Sequence, residues 1–192
     1  PGSGKTNLLE VICMQLDKAG SRTVVATPKG DFDSGCANGC IVCSSGDEID
    51  KEIEVIKDEL SLRKSRKEST DNATFNPIYL LFDDWDKCFA MIDDLTVKRL
   101  KSFISMGEGL GVYIIVTIGN EQLGKLHSQG EQVLNALANA GQSVVIGKSF
   151  DSHHPIDAEL TYTEKKSELG SYEGYLVDDE KARKIKIMSK ER

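Results

Sequence analysis

The feature that most constrains this chain is its opening run, Pro1-Gly2-Ser3-Gly4-Lys5-Thr6, which passes straight into an apolar stripe at helical spacing. Leu8, Leu9, Ile12, Cys13 and Leu16 recur on one face of a helix, so a helix starts inside the glycine segment and buries that stripe. The first N–H groups of a helix have no intrahelical partner, and the helix dipole makes that end attractive to anions. The residues around the bend match the second half of the pattern Gly-x-x-x-x-Gly-Lys-Ser/Thr, in which a polyphosphate meets backbone donors, a mobile cation and a magnesium ligand together. Gly2 and Gly4 let the backbone curl closely around a β-phosphate, with Ser3 between them and Asn7 in the turn that follows. Lys5 can reach the β- and γ-oxygens, and Thr6 can contact Mg²⁺. The expected ligand is Mg·ATP, bound by Gly2, Ser3, Gly4, Lys5, Thr6 and Asn7. The first glycine of the pattern, and the strand that usually feeds such a loop, would fall ahead of Pro1, so the chain is read as part of something larger.

A second constellation lies 70 residues or more downstream. The apolar run Ile78-Tyr79-Leu80-Leu81-Phe82 reads as a central strand and stops at Asp83-Asp84. In phosphoryl-transfer sites of this kind an acidic residue at a strand end supplies a second magnesium contact, and a neighbouring carboxylate orients or deprotonates the attacking water. Asp83, directly after the apolar run, is the metal candidate with Thr6. Asp84 stands where a hydrolase normally has glutamate and is one methylene shorter, so binding is better supported than turnover. The competing reading is that the two aspartates cap the next helix, a role that can coexist with the metal role. Another buried strand, Val112–Ile118, has Thr117 near its end, where a hydroxyl can approach the γ-phosphate if the two strands are neighbours. The catalytic candidates are therefore Asp84 and Thr117.

Between these landmarks, strands alternate with amphipathic helices. Val24–Ala26 and Ile41–Cys43 read as short buried strands, and the glycine-rich stretch 27–39 between them as irregular backbone. Ile49, Ile53, Ile56 and Leu60 mark a long helix ending near Lys67. One helix is expected from Phe89 to Ile104, closed by Gly107, Gly109 and Gly111, and another from Gln122 to Ala140, interrupted by Gly124 and Gly130. Ser143–Ile146 is a further strand, and Gly174–Val177 with Ile185–Met188 reads as a C-terminal β-hairpin around Asp178-Asp179-Glu180. The alternation predicts an α/β fold with a mostly parallel sheet covered on both faces, and 192 residues are the size of one domain.

Composition narrows the setting. The apolar runs are too short to span a bilayer, nothing at the amino terminus has the form of a leader, and five cysteines are an odd number, all of which fits a reducing cytosol. A net charge of −7, from 24 basic and 31 acidic residues, argues against a surface devoted to nucleic acid. Cys36, Cys40 and Cys43 have a ligand-like spacing but no matching fourth partner nearby, and small buried apolar residues explain them more simply. His127, His153 and His154 share no ligand spacing with other metal-binding side chains. Trp85 suits either a core position beside the site or an anchor for a neighbouring domain. Arg63, Arg66 and Arg99 are candidate fingers toward an adjacent site, with solvated helix faces as the simpler account.

The order of glycine loop, helix, strand, long acidic helix, aspartate strand, helix and threonine strand resembles the FtsK/SpoIIIE branch of RecA-like P-loop motor ATPases. Ser45-Gly46-Asp47-Glu48, leading into a helix with Leu60, Arg63 and Glu68, is similar to the acidic-start helix of that branch. Pro1–Leu9 and the Leu81-Phe82-Asp83-Asp84-Trp85 run resemble most the C-terminal ATPase domain of EssC/EccC proteins, the membrane-anchored motors of type VII secretion. The resemblance implies one RecA-like domain using ATP and Mg²⁺ at the cytoplasmic side of a membrane. Its implied partners are other ATPase domains of the same larger chain, membrane-embedded secretion components and small helical WXG-type secreted proteins, in a ring or other multimer. In that family the last ATPase domain commonly has degenerate catalytic motifs. Asp84 in place of glutamate, and Ile118 where translocases usually have glutamine after the threonine, imply weak or absent hydrolysis. The alternatives are a DNA-translocating FtsK-like ATPase and a non-hydrolysing protein-interaction module.

Overall fold

A computed structural model of the chain describes residues 4–28, 32, 39–70, 72–123, 125–126, 128–146, 159–166, 169–170, 172–178 and 181–187. Helix α1 (Lys5–Lys18) leads into strand β1 (Arg22–Ala26), followed by β2 (Ile41–Cys43), helix α2 (Gly46–Ser69) and strand β3 (Ile78–Phe82). Helices α3 (Trp85–Phe89) and α4 (Asp94–Met106) then lead to strand β4 (Val112–Val116). These strands form one four-stranded, all-parallel sheet in the order β2-β1-β3-β4. Parallel strands covered on both faces are apolar at nearly every position, which is why β3 and the second part of β1, Val24–Ala26, read as continuous hydrophobic runs.

The two faces bury different sets. Val24, Ala26, Leu80 and Phe82 face α2, α3 and α4, where they pack with Ile53, Ile56, Trp85, Leu100 and Phe103. Val25 and Leu81 face the opposite way, onto Leu9 and Cys13 of α1. The expected stripe of α1 is therefore the buried one, with Ile12 and Leu16 at its partly covered margin. Helix α2 starts with a reciprocal cap: the Ser45 hydroxyl accepts from the Glu48 N–H, and the Glu48 side chain accepts from the Ser44 and Ser45 N–H groups.

Arg63 on α2 is not on a solvated face. It is only 6% exposed, donates to Glu59 and to the Leu110 carbonyl at 2.8 Å, and lies over the Phe75 ring. It ties α2 to the turn before β4 and is unsuited to reach a neighbouring site. Arg99 is paired with Glu54 across α4 and α2, whereas Arg66 is exposed.

Two helix expectations needed correction. The helix expected over 89–104 is two helices, because the chain bends at residues 90–93 and Asp93 starts α4 by accepting the Thr96 N–H at 2.6 Å. The helix expected over 122–140 is likewise α5 (Asn120–Leu123) and α6 (Ser128–Ala140). Gly130 has a packing reason: a Cβ there would sit 3.2 Å from the Phe89 ring, and its carbonyl accepts the Trp85 Nε1–H. Strand β5 (Ser143–Ile146) does not join the parallel sheet. It pairs antiparallel with β6 (Glu173–Asp178), which pairs in turn with β7 (Lys181–Lys186), making a second sheet. The C-terminal hairpin is thus present and longer than expected, with β7 starting four residues before Ile185. A short helix α7 (Tyr162–Lys166), not expected from sequence, precedes it. No helix among the described residues is long and apolar enough to cross a membrane.

Candidate functional site

In the parallel sheet β2 lies on one side of β1 and β4 on the opposite side of β3, so the chain leaves these two adjacent strands in opposite directions. A crevice at the carboxyl ends of strands arranged this way is where open α/β sheets bind ligands. The N-terminus of α1 meets the sheet at this edge. Gly4, its N-cap, has φ 84°, a left-handed conformation that glycine takes without strain, and its carbonyl accepts the Leu8 N–H at 2.9 Å. Pro1, Gly2 and Ser3 lie outside the described residues. Lys5, Thr6 and Asn7 form the first turn of α1, partly buried against the sheet edge.

A row of hydrogen bonds joins the sequence landmarks. The Thr6 hydroxyl donates to Asp83 Oδ2 at 2.9 Å, and the Thr117 hydroxyl donates to Asp83 Oδ1 at 2.8 Å. Thr117 Oγ1 in turn accepts the Asp84 N–H at 3.0 Å, which leaves its proton for Asp83. Asp83 is 3% exposed, so its carboxyl is held by one hydroxyl per oxygen in a nearly dry setting. Each of those oxygens keeps a further lone-pair position, and so does Thr6 Oγ1. Hydroxyl and carboxylate oxygens are the hard donors that Mg²⁺ takes, beside water and phosphate oxygens. The residues present therefore fit a magnesium ion: Thr6 and Asp83 would hold it, and it would neutralise phosphate charge there.

Asp84 differs from its neighbour in every respect. Its backbone has φ 56°, and the Trp85 N–H donates to the Thr117 carbonyl at 2.7 Å, so β4 holds this turn in place. A non-glycine residue in this region costs on the order of 1–2 kcal/mol and persists where the surroundings enforce it, commonly at functional sites. Its side chain makes no cap bond to α3 and forms an ion pair with Lys87 at 3.0 Å. The capping account of the aspartates thus fails for Asp84. Sequence reading missed Lys87, although its spacing of three residues on a helix is the signal that places such pairs together.

Behind the turn, Trp85 is wholly buried among Phe82 and Phe89, which makes it a core residue and not an anchor for another domain. The Cys88 thiol donates to the Asp83 carbonyl at 3.2 Å, and burial, reinforced by the charges of Asp83, Asp84 and Asp86, pushes it up to about 12. Burial likewise raises Cys43 to about 11, so neither is a reactive thiol. Cys36, His127, His153 and His154 lie outside the described residues.

No family model matches the sequence, and no curated protein matches it closely enough in sequence to inform its function. Solved structures do match in fold. EssC (ATPases 2 and 3) from Geobacillus thermodenitrificans superposes with a TM-score of 0.81 at 18% identity over 97% of this chain. Its fold is that of the EssC and EccC ATPase domains. The cytoplasmic domain of the Thermomonospora curvata type VII secretion ATPase EccC matches over 100% of this chain, with a TM-score of 0.74 and 16% identity. EccC (ATPases 2 and 3) from the same organism, in complex with a signal sequence peptide, gives 0.71 and 18%, again over 100% of this chain. The chain spans 35%, 23% and 36% of those three chains, respectively.

Proposed function

We propose that this chain is an ATP-binding domain of a type VII secretion motor, which holds Mg·ATP at the N-terminus of α1 and hydrolyses it slowly or not at all. The observation that carries the reading is the row Thr6–Asp83–Thr117, in which the helix that opens the glycine loop is bonded to the aspartate at the β3 edge and to the threonine beyond β4. Gly2, Ser3, Gly4, Lys5 and Asn7 supply the remaining phosphate contacts, and Thr6 with Asp83 the metal contacts. Thr117 is a positioning group between Asp83 and Asp84. Slow turnover follows from Asp84, whose carboxylate is one methylene short and is engaged by Lys87. A misplacement of about 1 Å costs on the order of a hundredfold in rate.

The neighbours' names support the wider setting. They are ATPase domains within longer chains, one described as cytoplasmic and another bound to a signal sequence peptide. This chain accordingly works as one ATPase unit beside other such domains, on the cytoplasmic face of a membrane with membrane-embedded secretion components. It serves the export of small helical WXG-type proteins. Nucleotide affinity and turnover of wild type, Lys5→Ala and Asp84→Glu test the reading. Lys5→Ala should weaken ATP binding roughly ten- to hundredfold, the range for a charge-assisted bond. Asp84→Glu should raise turnover. A wild type that fails to bind ATP ends the proposal.

A further inference from the structure

At the same edge of the sheet stands a residue that the phosphate-loop pattern does not include. Thr27 follows β1 directly, and its N–H donates to the Cys43 carbonyl at 2.9 Å, so its backbone continues the β1–β2 ladder and is fixed. The Asp83 N–H continues the β1–β3 ladder by donating to the Ala26 carbonyl at 2.9 Å. With Ala26 opposite Phe82, Thr27 and Asp83 are the next register partners, one on each side of the crevice. Side chains alternate along a strand, and Val25 and Leu81 both face α1, so Thr27 and Asp83 project to the same side. Asp83 does so demonstrably, since it meets Thr6.

Thr27 is 1% exposed, and its hydroxyl has no hydrogen-bond partner. Buried hydroxyls are nearly always satisfied by protein or by an ordered water, and each exception calls for a reason. Among the described residues two other threonine hydroxyls share this state, Thr23 near the start of β1 and Thr96 in the first turn of α4, but neither lies at the carboxyl edge of the sheet. A valine at 27 would fill the same space with no hydroxyl to satisfy. Magnesium keeps several of its waters when it binds a nucleotide, and those waters need acceptors and donors around the ion.

We infer that Thr27 is a positioning residue for the hydrated divalent cation of the nucleotide complex, its hydroxyl bonding a cation-bound water on the β1 side of Asp83. The inference rests on the nucleotide reading of the site. Thr27 touches neither phosphate nor metal in this role and acts through the water.

The test is the affinity of a fluorescent ADP measured in excess Mg²⁺ and again in EDTA, for wild type, Thr27→Val and Thr27→Ser, with melting temperatures of the nucleotide-free proteins alongside. The ratio of the two affinities is the gain that the cation provides. Thr27→Val should cut that gain roughly two- to tenfold, the worth of one net hydrogen bond. It should leave the EDTA affinity unchanged and the nucleotide-free melting temperature at or above wild type. Thr27→Ser, which keeps the hydroxyl, should retain the gain. A Thr27→Val protein with the wild-type gain overturns the inference alone, as does a loss that both variants share. A wild type that binds no nucleotide in either condition overturns the function proposed above and this inference with it.

Discussion

Set beside each other, the four-stranded parallel sheet and the three-stranded antiparallel one spend their polar residues in different places. In the parallel sheet β3 is apolar along its length and β1 is apolar from Val24 onward, after Arg22 and Thr23 at its start, while Thr27, Asp83 and Thr117 follow the strands' carboxyl ends, all three of them buried. In the antiparallel sheet only one face is covered, through Val145, Tyr175 and Val177, while β7 turns Lys181, Arg183, Lys184 and Lys186 to water. A charged edge strand of that kind costs little and guards against pairing with other chains. A buried carboxyl with two hydroxyl donors is costly to assemble, so it says more about function.

If that contrast is right, disturbing the parallel sheet should change both stability and nucleotide binding, and disturbing β6–β7 should change neither. The largest effect belongs to Trp85→Ala, which removes the ring packed on Phe82 and Phe89 and its bond to Gly130. A loss of about 3–5 kcal/mol is expected in denaturant unfolding. A loss below about 1 kcal/mol would show that the turn after Asp84 is not built on that ring.

Asp83→Asn comes next. It keeps the shape of the side chain but replaces one acceptor oxygen with a donor, against the donating hydroxyls of Thr6 and Thr117. The expected cost is about 1–3 kcal/mol of stability, together with a loss of most of the magnesium-dependent gain in ADP affinity. Titrations with Mg²⁺ and EDTA separate the two. Retention of the full gain would remove Asp83 from the metal site.

A smaller effect concerns alkaline pH. The Cys88 thiol is raised from an ordinary value of 9.0 to about 12 in the fold, by burial first and then by the neighbouring carboxylates. Its folded value lies above its unfolded one, so the contribution to stability is complete below pH 9 and declines as pH rises toward 12. Between about pH 9 and pH 10.5 this amounts to at most about 2 kcal/mol. Denaturation curves at those two values should converge for Cys88→Ala relative to wild type, and equal slopes for the two proteins would refute it. At the small end, Lys184→Ala breaks the exposed pair with Glu173 on the hairpin. No resolvable change in melting temperature or ADP affinity is expected, and a shift above about 3 °C would break the comparison.

Much of this was legible in the sequence because its signals are local. Ile41–Cys43 and Ile78–Phe82 are strands with the expected limits, since a short apolar run bounded by turn residues leaves few other choices. The α2 start was marked by Ser45 and Glu48, whose reciprocal bonds span only three residues. The two helix breaks were harder to see because apolar spacing persists through them. Residues 89, 92 and 95 keep helical phase across the bend, and only the Asp93–Thr96 cap betrays it. The departure of β5 from the parallel sheet had no local signal, since strand partnership is decided by what lies across the ladder.

By itself the sequence singled out the candidate residues for the site: Lys5 and Thr6 after the glycines, Asp83 at a strand end, Thr117 after another. It did so because a helix start and a buried strand each show in the spacing of apolar residues along a few turns of chain. Only the tertiary structure decided that Thr6, Asp83 and Thr117 share one hydrogen-bonded row and that Arg63 belongs to the core. Those facts depend on strand order and register, which join residues 34 and 77 positions apart. Nothing in a local pattern records which distant strand will lie alongside, because pairing is settled by the burial of whole faces.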